Sequence, residues 1–171
     1  MRSSSLTVRS TTEEDWREVR ALRLEMLADT PIAYGETLEQ ALRQQEPEWR
    51  LRGRRGQEPR SASFVAIDGG SMQWVGTMGG YLPTAPGEGP LLVGVYVSPG
   101  FRGASAGVAD ALLDAVEGWA RGHGSDLTLH VHEDNPRAIG FYQRRGFVDT
   151  GRRLQYELYD GGQEWEMRKP L

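Results

Sequence analysis

The chain has 171 residues, of which 38% are hydrophobic and 26% charged, with a formal net charge of −4 and no cysteine. This length predicts one domain with a substantial core. The lack of cysteine excludes disulfides, thiolate zinc sites and a cysteine nucleophile. The negative charge disfavours a nucleic-acid binder, because such proteins usually present a basic surface.

The sequence also lacks the segments that direct a protein to a membrane or out of the cell. No apolar run reaches the roughly 18 residues of a membrane span, and none near the start resembles the apolar region of a signal peptide. The three histidines have no helical or hairpin spacing to carboxylates, so no metal is expected. We therefore expect a cytoplasmic protein with no membrane or nucleic-acid partner.

Hydrophobic periodicity predicts an α/β domain whose elements follow the order βαα, three strands, α, β, α and two strands. No internal repeat or linker interrupts residues 1–171, so they are interpreted as a single domain. Strands are predicted near residues 6–8, 64–67, 74–82, 91–97, 127–131, 154–158 and 164–168. Helices are predicted at residues 12–29, 38–51, 108–121 and 138–145.

The stretch from 52 to 61, RGRRGQEPRS, is polar and contains glycine and proline. Such a composition indicates a surface loop. Its arginines leave open two other interpretations: an electrostatic guide for a polyanionic ligand, or a salt-sensitive contact to nucleic acid.

A turn between the strand at 91–97 and the following helix is the first block suited to chemistry. It consists of Arg102, Gly103, Ala104, Ser105, Ala106 and Gly107. Small residues let a ligand approach the backbone, free N–H groups at a helix start attract an anion, and an arginine suits phosphate. Tight packing of the strand on the helix would also require small residues. The block is not a P-loop, which needs Gly-Lys-Ser/Thr, and its glycine spacing is not the dinucleotide fingerprint.

The second block runs from Asn135 to Phe147 with the sequence NPRAIGFYQRRGF. Taken alone, Asn135 could cap a short helix, and Phe141 and Tyr142 could be core aromatics.

Together the two blocks resemble the signatures of the GNAT superfamily of acetyl-CoA-dependent N-acetyltransferases. Val97-Ser98-Pro99 followed by residues 102–107 is similar to the pyrophosphate signature of that family, and residues 135–147 match its second signature. The resemblance extends over nearly the whole chain. It implies a GNAT-like α/β domain with a mixed, mostly antiparallel sheet of about six or seven strands, a splayed central parallel pair and about four helices.

The resemblance also implies roles for individual residues, with acetyl-CoA as co-substrate. The pantetheine arm would pair with the backbones of Val95, Tyr96 and Val97, and the pyrophosphate would lie on the amides of residues 102–107. Asn135 would hold the pantetheine or the adenosine side of the cofactor. Tyr142 stands at the position of the general acid that protonates the departing thiolate. Ser105 departs from the signature, which has glycine there, so binding would weaken if this position needs a positive φ.

The acceptor implied by the resemblance is a primary amine of a small molecule or a protein, and a homodimer is compatible with the family. The competing hypothesis is a non-catalytic acyl-CoA-binding or regulatory module with the same fold. Tyr34 and Trp74 are candidates to line the acceptor pocket. The general base is left open among Glu36, His130, His132, Glu133 and Asp134.

Overall fold

The computed structural model describes residues 5–159 and 161–171. One mixed sheet is formed by the strands β1 Leu6–Ser10, β2 Ser61–Asp68, β3 Trp74–Tyr81, β4 Leu91–Val97, β5 Asp126–His132, β6 Val148–Gln155 and β7 Gln163–Pro170. The α-helices in these ranges are α1 Trp16–Asp29, α2 Leu38–Leu42, α3 Glu46–Arg54, α4 Val108–Arg121 and α5 Pro136–Arg144. None of them is both long and apolar enough to cross a membrane.

The strand order is β1-β2-β3-β4-β5-β7-β6. Only β4 and β5 are parallel neighbours, and the other neighbouring pairs are antiparallel. The predicted fold class, a mostly antiparallel mixed sheet with a central parallel pair, is therefore confirmed.

The central parallel pair separates along its length. The register pairs only Leu91 of β4 with Thr128 of β5. Further along β4, Gly94 and Val95 lie opposite the single residue Met78, and Gly94 has a φ of +61°. A bulge with a left-handed glycine bends its strand, so β4 diverges from β5 toward its C-terminal end. The predicted splay is thus present, and its cause is the bulge at Gly94.

Helices cover both faces of this sheet. On one face, the buried side of α4 packs with β5 and α5 in the main core, which includes Leu112 and Leu129. On the other face, Tyr96 of β4 packs with Leu22 and Met26 of α1, since alternate side chains of a strand point to opposite faces. The α1–α3 layer and the α4–α5 layer therefore approach the separated strands from opposite sides.

Three predictions of element bounds are wrong, namely the single helix at 38–51, the loop from 52 and the strand at 154–158. The single helix predicted at 38–51 is two helices, because Gln45 begins a new one: its N–H donates to Glu48 Oε2 at 3.0 Å in a capping box. Helix α3 then continues through Arg54, so the first residues of the predicted RGRR loop are helical. Strand β6 begins at Val148, because a register shift and the positive φ of Gly151 hide its alternation.

Candidate active site

A cavity of about 770 Å³ opens between the diverging strands β4 and β5. Most of the predicted site residues line it, namely Val95, Tyr96, Val97, Arg102, Gly103, Ala104, Asn135 and Tyr142. Ser105, Ala106 and Gly107 do not line the cavity and lie in the turn just before α4.

The turn before α4 presents unused backbone donors. Gly103 and Gly107 have φ values of +104° and +69°, a conformation that favours glycine. The N–H groups of Gly103, Ala104, Ser105 and Gly107 donate no hydrogen bond to a described residue. Such donors at the start of a 14-residue helix form an anion site. Ser105 has no positive φ, so serine fits this backbone without strain.

Arg102 is engaged within the protein. Its Nε donates to the Val97 carbonyl oxygen at 2.7 Å, and its guanidinium pairs with Asp29 at the end of α1. This side chain therefore joins the end of β4 to α1. Arg137 and Arg144 of α5 are exposed, line the cavity and have no ion pair with a described residue. Arg137 and Arg144 are therefore available for the phosphate-binding role that the sequence interpretation assigned to Arg102. Both lie within the second signature, where the sequence interpretation gave them no role.

The backbone of β4 presents alternate residues to the cleft. Tyr96 pairs with Thr77, and Ser98 N–H donates to the Val75 carbonyl oxygen at 2.8 Å. This register directs the N–H and C=O of Tyr96 toward β3 and those of Val97 toward the cleft. The Val95 carbonyl oxygen is also on the cleft side, where it accepts from the Tyr34 hydroxyl at 2.9 Å. The Val97 N–H is therefore directed toward the cleft, the carbonyl oxygens of Val95 and Val97 there already accept one hydrogen bond each, and the backbone groups of Tyr96 are not available to a ligand.

Tyr142 lies in the wall of the cavity and is 5% exposed. The rings of Phe141 and Phe147 pack on it, with centroids 5.6 and 5.7 Å away. Its hydroxyl has no hydrogen-bond partner among the described residues. Burial, with a smaller effect from Tyr34, raises the pKa of Tyr142. The phenol therefore keeps its proton at neutral pH and has that proton available.

Asn135 caps α5. Its Oδ1 accepts a hydrogen bond from the Ala138 N–H at 3.3 Å, as expected of an N-cap. The capping interpretation thus holds, and Asn135 lines the cavity as well.

The candidate bases differ in how far they are already engaged. Both His132 nitrogens are used, since Nδ1 accepts from the Asp134 N–H at 3.0 Å and Nε2 donates to the Gly161 carbonyl oxygen at 2.9 Å. His132 is therefore engaged within the protein through both ring nitrogens. Glu36 is held by two arginines, and the exposed Glu133 does not line the cavity.

Glu164 of β7 is a carboxylate that no sequence motif marks. It lines the cavity, and its side chain makes no hydrogen bond or ion pair with a described residue. It is therefore available to accept a proton. No group of three or more His, Asp or Glu side chains in the described ranges is arranged to hold a metal ion.

Of the two aromatic residues predicted to line the acceptor pocket, one lines the cavity and the other does not. Tyr34 lines the cavity, and burial raises the pKa of its phenol. Trp74 does not line it and packs against the cluster of Leu22, Met26 and Tyr96.

The fold is shared with solved acetyltransferases. A GNAT family acetyltransferase from Streptococcus pneumoniae has a TM-score of 0.80 at 16% identity, covering 98% of this chain and 100% of that chain. A GNAT superfamily phosphinothricin acetyltransferase from Sinorhizobium meliloti, in complex with AcCoA, has a TM-score of 0.78 at 20% identity, covering 97% and 88%. Arabidopsis thaliana NAA60 in complex with a bisubstrate analogue has a TM-score of 0.69 at 19% identity, covering 98% and 99%.

No curated protein matches the chain. The sequence model of the Acetyltransferase (GNAT) family matches residues 20–147. This match includes α1 from residue 20 onward, the splayed strands, the turn before α4 and Tyr142. The chain therefore belongs to the GNAT family of acetyltransferases.

Proposed function

We propose that this acetyltransferase moves the acetyl group of acetyl-CoA to a primary amine by direct attack of the neutral amine on the thioester. The observation that carries the proposal is the cleft between β4 and β5, which contains both the unused backbone groups of a cofactor site and the buried phenol of Tyr142. Two of the similar structures are described with AcCoA or a bisubstrate analogue.

The cofactor would extend from the turn before α4 into the cleft. Its pyrophosphate would accept hydrogen bonds from the free amides of residues 103–105 and 107, with Arg137 and Arg144 close to the phosphates. The pantetheine arm would lie between β4 and β5 like an added strand, donating to the second lone pairs of the Val95 and Val97 carbonyl oxygens. Asn135, at the start of α5, would contact the same arm.

Three groups of the chain would take up or stabilise the charges that change during the reaction. In the reaction a C–N bond forms, the C–S bond breaks, and the ammonium gives up a proton. Glu164 would accept this proton, directly or through water. The Val97 N–H, which faces the cleft, would donate to the tetrahedral oxyanion. Tyr142 would donate its proton to the departing thiolate, and the second proton that the attacking nitrogen loses as the amide forms would restore the phenol.

Thiol release from acetyl-CoA across a panel of amines tests the proposal, with mass spectrometry of the N-acetyl product and an amine-free reaction as control. We expect release that depends on the amine and equals the product formed. Acetyl-CoA binding without turnover of any small-molecule or protein amine would instead identify a non-catalytic acyl-CoA-binding module.

A further inference from the structure

Two arginines bind a single carboxylate in the α1–α3 layer, and a third arginine lies near them. Arg23 Nε lies 2.9 Å from Glu36 Oε1, and Arg52 binds both oxygens of Glu36 at 3.2 and 2.7 Å. These three side chains are only 14–19% exposed. Arg55 follows at the end of α3 and lines the same cavity as Arg23 and Arg52.

The positive charge of this cluster is not balanced. The guanidinium of Arg55 has no hydrogen bond or ion pair with a described residue, and Glu36 and Glu58 act on it only from beyond ion-pair distance. Although Arg55 is an exposed residue, partial desolvation lowers the pKa of its guanidinium, and the charges of Arg52 and Arg23 lower it further. Because Glu36 neutralises one guanidinium only, the cluster favours an added anion.

The arginines lie on the acceptor side of the cleft. Arg23 stacks over the Tyr34 ring at 5.2 Å, and the Tyr34 hydroxyl bonds to Val95 of β4. The turn that offers free amides to phosphate belongs to the opposite layer, before α4. The cluster is therefore placed beyond the strand along which the pantetheine would lie.

A separate buried hydroxyl in the same cavity also lacks a hydrogen bond. Tyr156 is 5% exposed and lines the cavity, and its hydroxyl has no hydrogen-bond partner within residues 5–159 and 161–171. Burial raises the pKa of the Tyr156 phenol, and the Gly35 N–H, which faces its oxygen, lowers this pKa by a smaller amount. The N–H and the oxygen do not reach hydrogen-bond geometry. Leaving a buried hydroxyl unpaired is unfavourable, so this group also fits a substrate oxygen.

We propose that the acceptor is a small amine that also carries a carboxylate, an amino acid in the broad sense, and that Arg55 binds this carboxylate beside Arg23 and Arg52 with Tyr156 donating to it. The inference rests on the proposed function and names its substrate class. Glu164, across the cavity, complements the ammonium end of the same molecule. The cavity of about 770 Å³ must also hold the pantetheine arm, which favours a free amino acid over a peptide.

Arg55→Gln is the test variant, because Arg55 makes no contact that folding needs. Steady-state acetylation is measured for L-amino acids, each paired with its carboxamide and its decarboxylated amine. We expect the carboxylate form to be preferred, and Arg55→Gln to raise its KM about 10- to 100-fold, which is a much larger change than that in kcat/KM for the decarboxylated amine. Arg55→Lys should recover part of the loss.

Arg54→Gln is the matched control. Arg54 lies next in sequence, pairs with Glu13 at 2.6 Å and does not line the cavity, so its variant should keep the wild-type preference. Equal acetylation of amines with and without a carboxylate, unaffected by Arg55→Gln, would overturn the inference and leave the proposed function intact. Preference for an acidic tripeptide over every free amino acid would overturn it too.

A binding measurement separates this inference from the proposed function. Calorimetric titration of the preferred amino acid into the protein with CoA present reports the carboxylate site without chemistry. Binding that is lost in Arg55→Gln but leads to no acetylation would support the inference and contradict the proposed function. No binding of any amino acid by the wild type would contradict the inference.

Discussion

Replacing Tyr142 by phenylalanine removes one oxygen from the wall of the cleft and little else. The hydroxyl makes no hydrogen bond to a described residue, and the ring keeps its packing against Phe141 and Phe147. Loss of an unpaired hydroxyl changes the free energy of unfolding by less than about 1 kcal/mol. Tyr142→Ala, in contrast, would remove the packed ring and destabilise the fold by about 3–5 kcal/mol.

The catalytic effect of Tyr142→Phe should be far larger than its effect on stability. A positioned general acid contributes about 10²- to 10⁴-fold, which corresponds to roughly 3–5 kcal/mol of the barrier. We therefore expect kcat to fall by that factor, with KM for acetyl-CoA nearly unchanged, because the proton is needed only when the thiolate departs.

Single-turnover thiol release measures the chemical step, and chemical denaturation of the same samples measures stability. Tyr159→Phe is the control, since Tyr159 is 55% exposed and outside the cavity. Full turnover by Tyr142→Phe, with chemistry shown to be rate-limiting, would refute the assignment of Tyr142 as general acid.

Three further predictions concern stability and the cofactor turn. Gly53→Ala should lower the free energy of unfolding by about 1–3 kcal/mol, because the added Cβ would lie 2.3 Å from the Thr12 carbonyl oxygen. Gly118→Ala should raise the free energy of unfolding by about 0.5–1 kcal/mol, because Gly118 has open space around it in α4. Equal effects of the two variants would contradict the close contact between Gly53 and Thr12. Burial raises the pKa of Glu36, but its arginine hydrogen bonds outweigh this and leave the pKa below 4.5. The pKa of Glu36 is thus depressed in the folded state. Urea titrations should show that the free energy of unfolding of the wild type exceeds that of Glu36→Gln by roughly 3 kcal/mol at neutral pH, and that this difference declines as the pH falls below 4.5. A difference that does not depend on pH would exclude the Glu36 charge as its source. Ser105→Gly should change KM for acetyl-CoA by no more than about twofold, since Ser105 needs no positive φ; a much larger change would show that its hydroxyl or its backbone contributes to binding.

Local rules of the chain predicted much of the fold. Strand alternation and helical spacing located most elements, and the two signature blocks identified the turn before α4 and the wall that contains Tyr142. These predictions succeeded where neighbours in sequence are also neighbours in space, as in the cap that Asn135 forms on Ala138. The boundary errors arose where a local signal was hidden, as at Gly151, whose positive φ interrupts the alternation of β6.

Sequence patterns did not predict the partners of charged side chains. Arg102 carries the signature of a phosphate ligand but is bound by Asp29, which is 73 residues away in the chain. The RGRR stretch read as a basic loop, yet Arg52 and Arg54 are paired with Glu36 and Glu13. Charge pairing depends on which elements pack together, and periodicity alone does not specify that.

The sequence by itself predicted the kind of cofactor site, because a glycine turn at a helix start and an aromatic helix are encoded within a few consecutive residues. Only the tertiary structure decided which side chains surround the cavity in which we propose that the acceptor binds. Arg23, Arg52, Arg55, Tyr156 and Glu164 come from distant parts of the chain and share one cavity because the bulge at Gly94 separates β4 from β5 and lets both helical layers reach the opening.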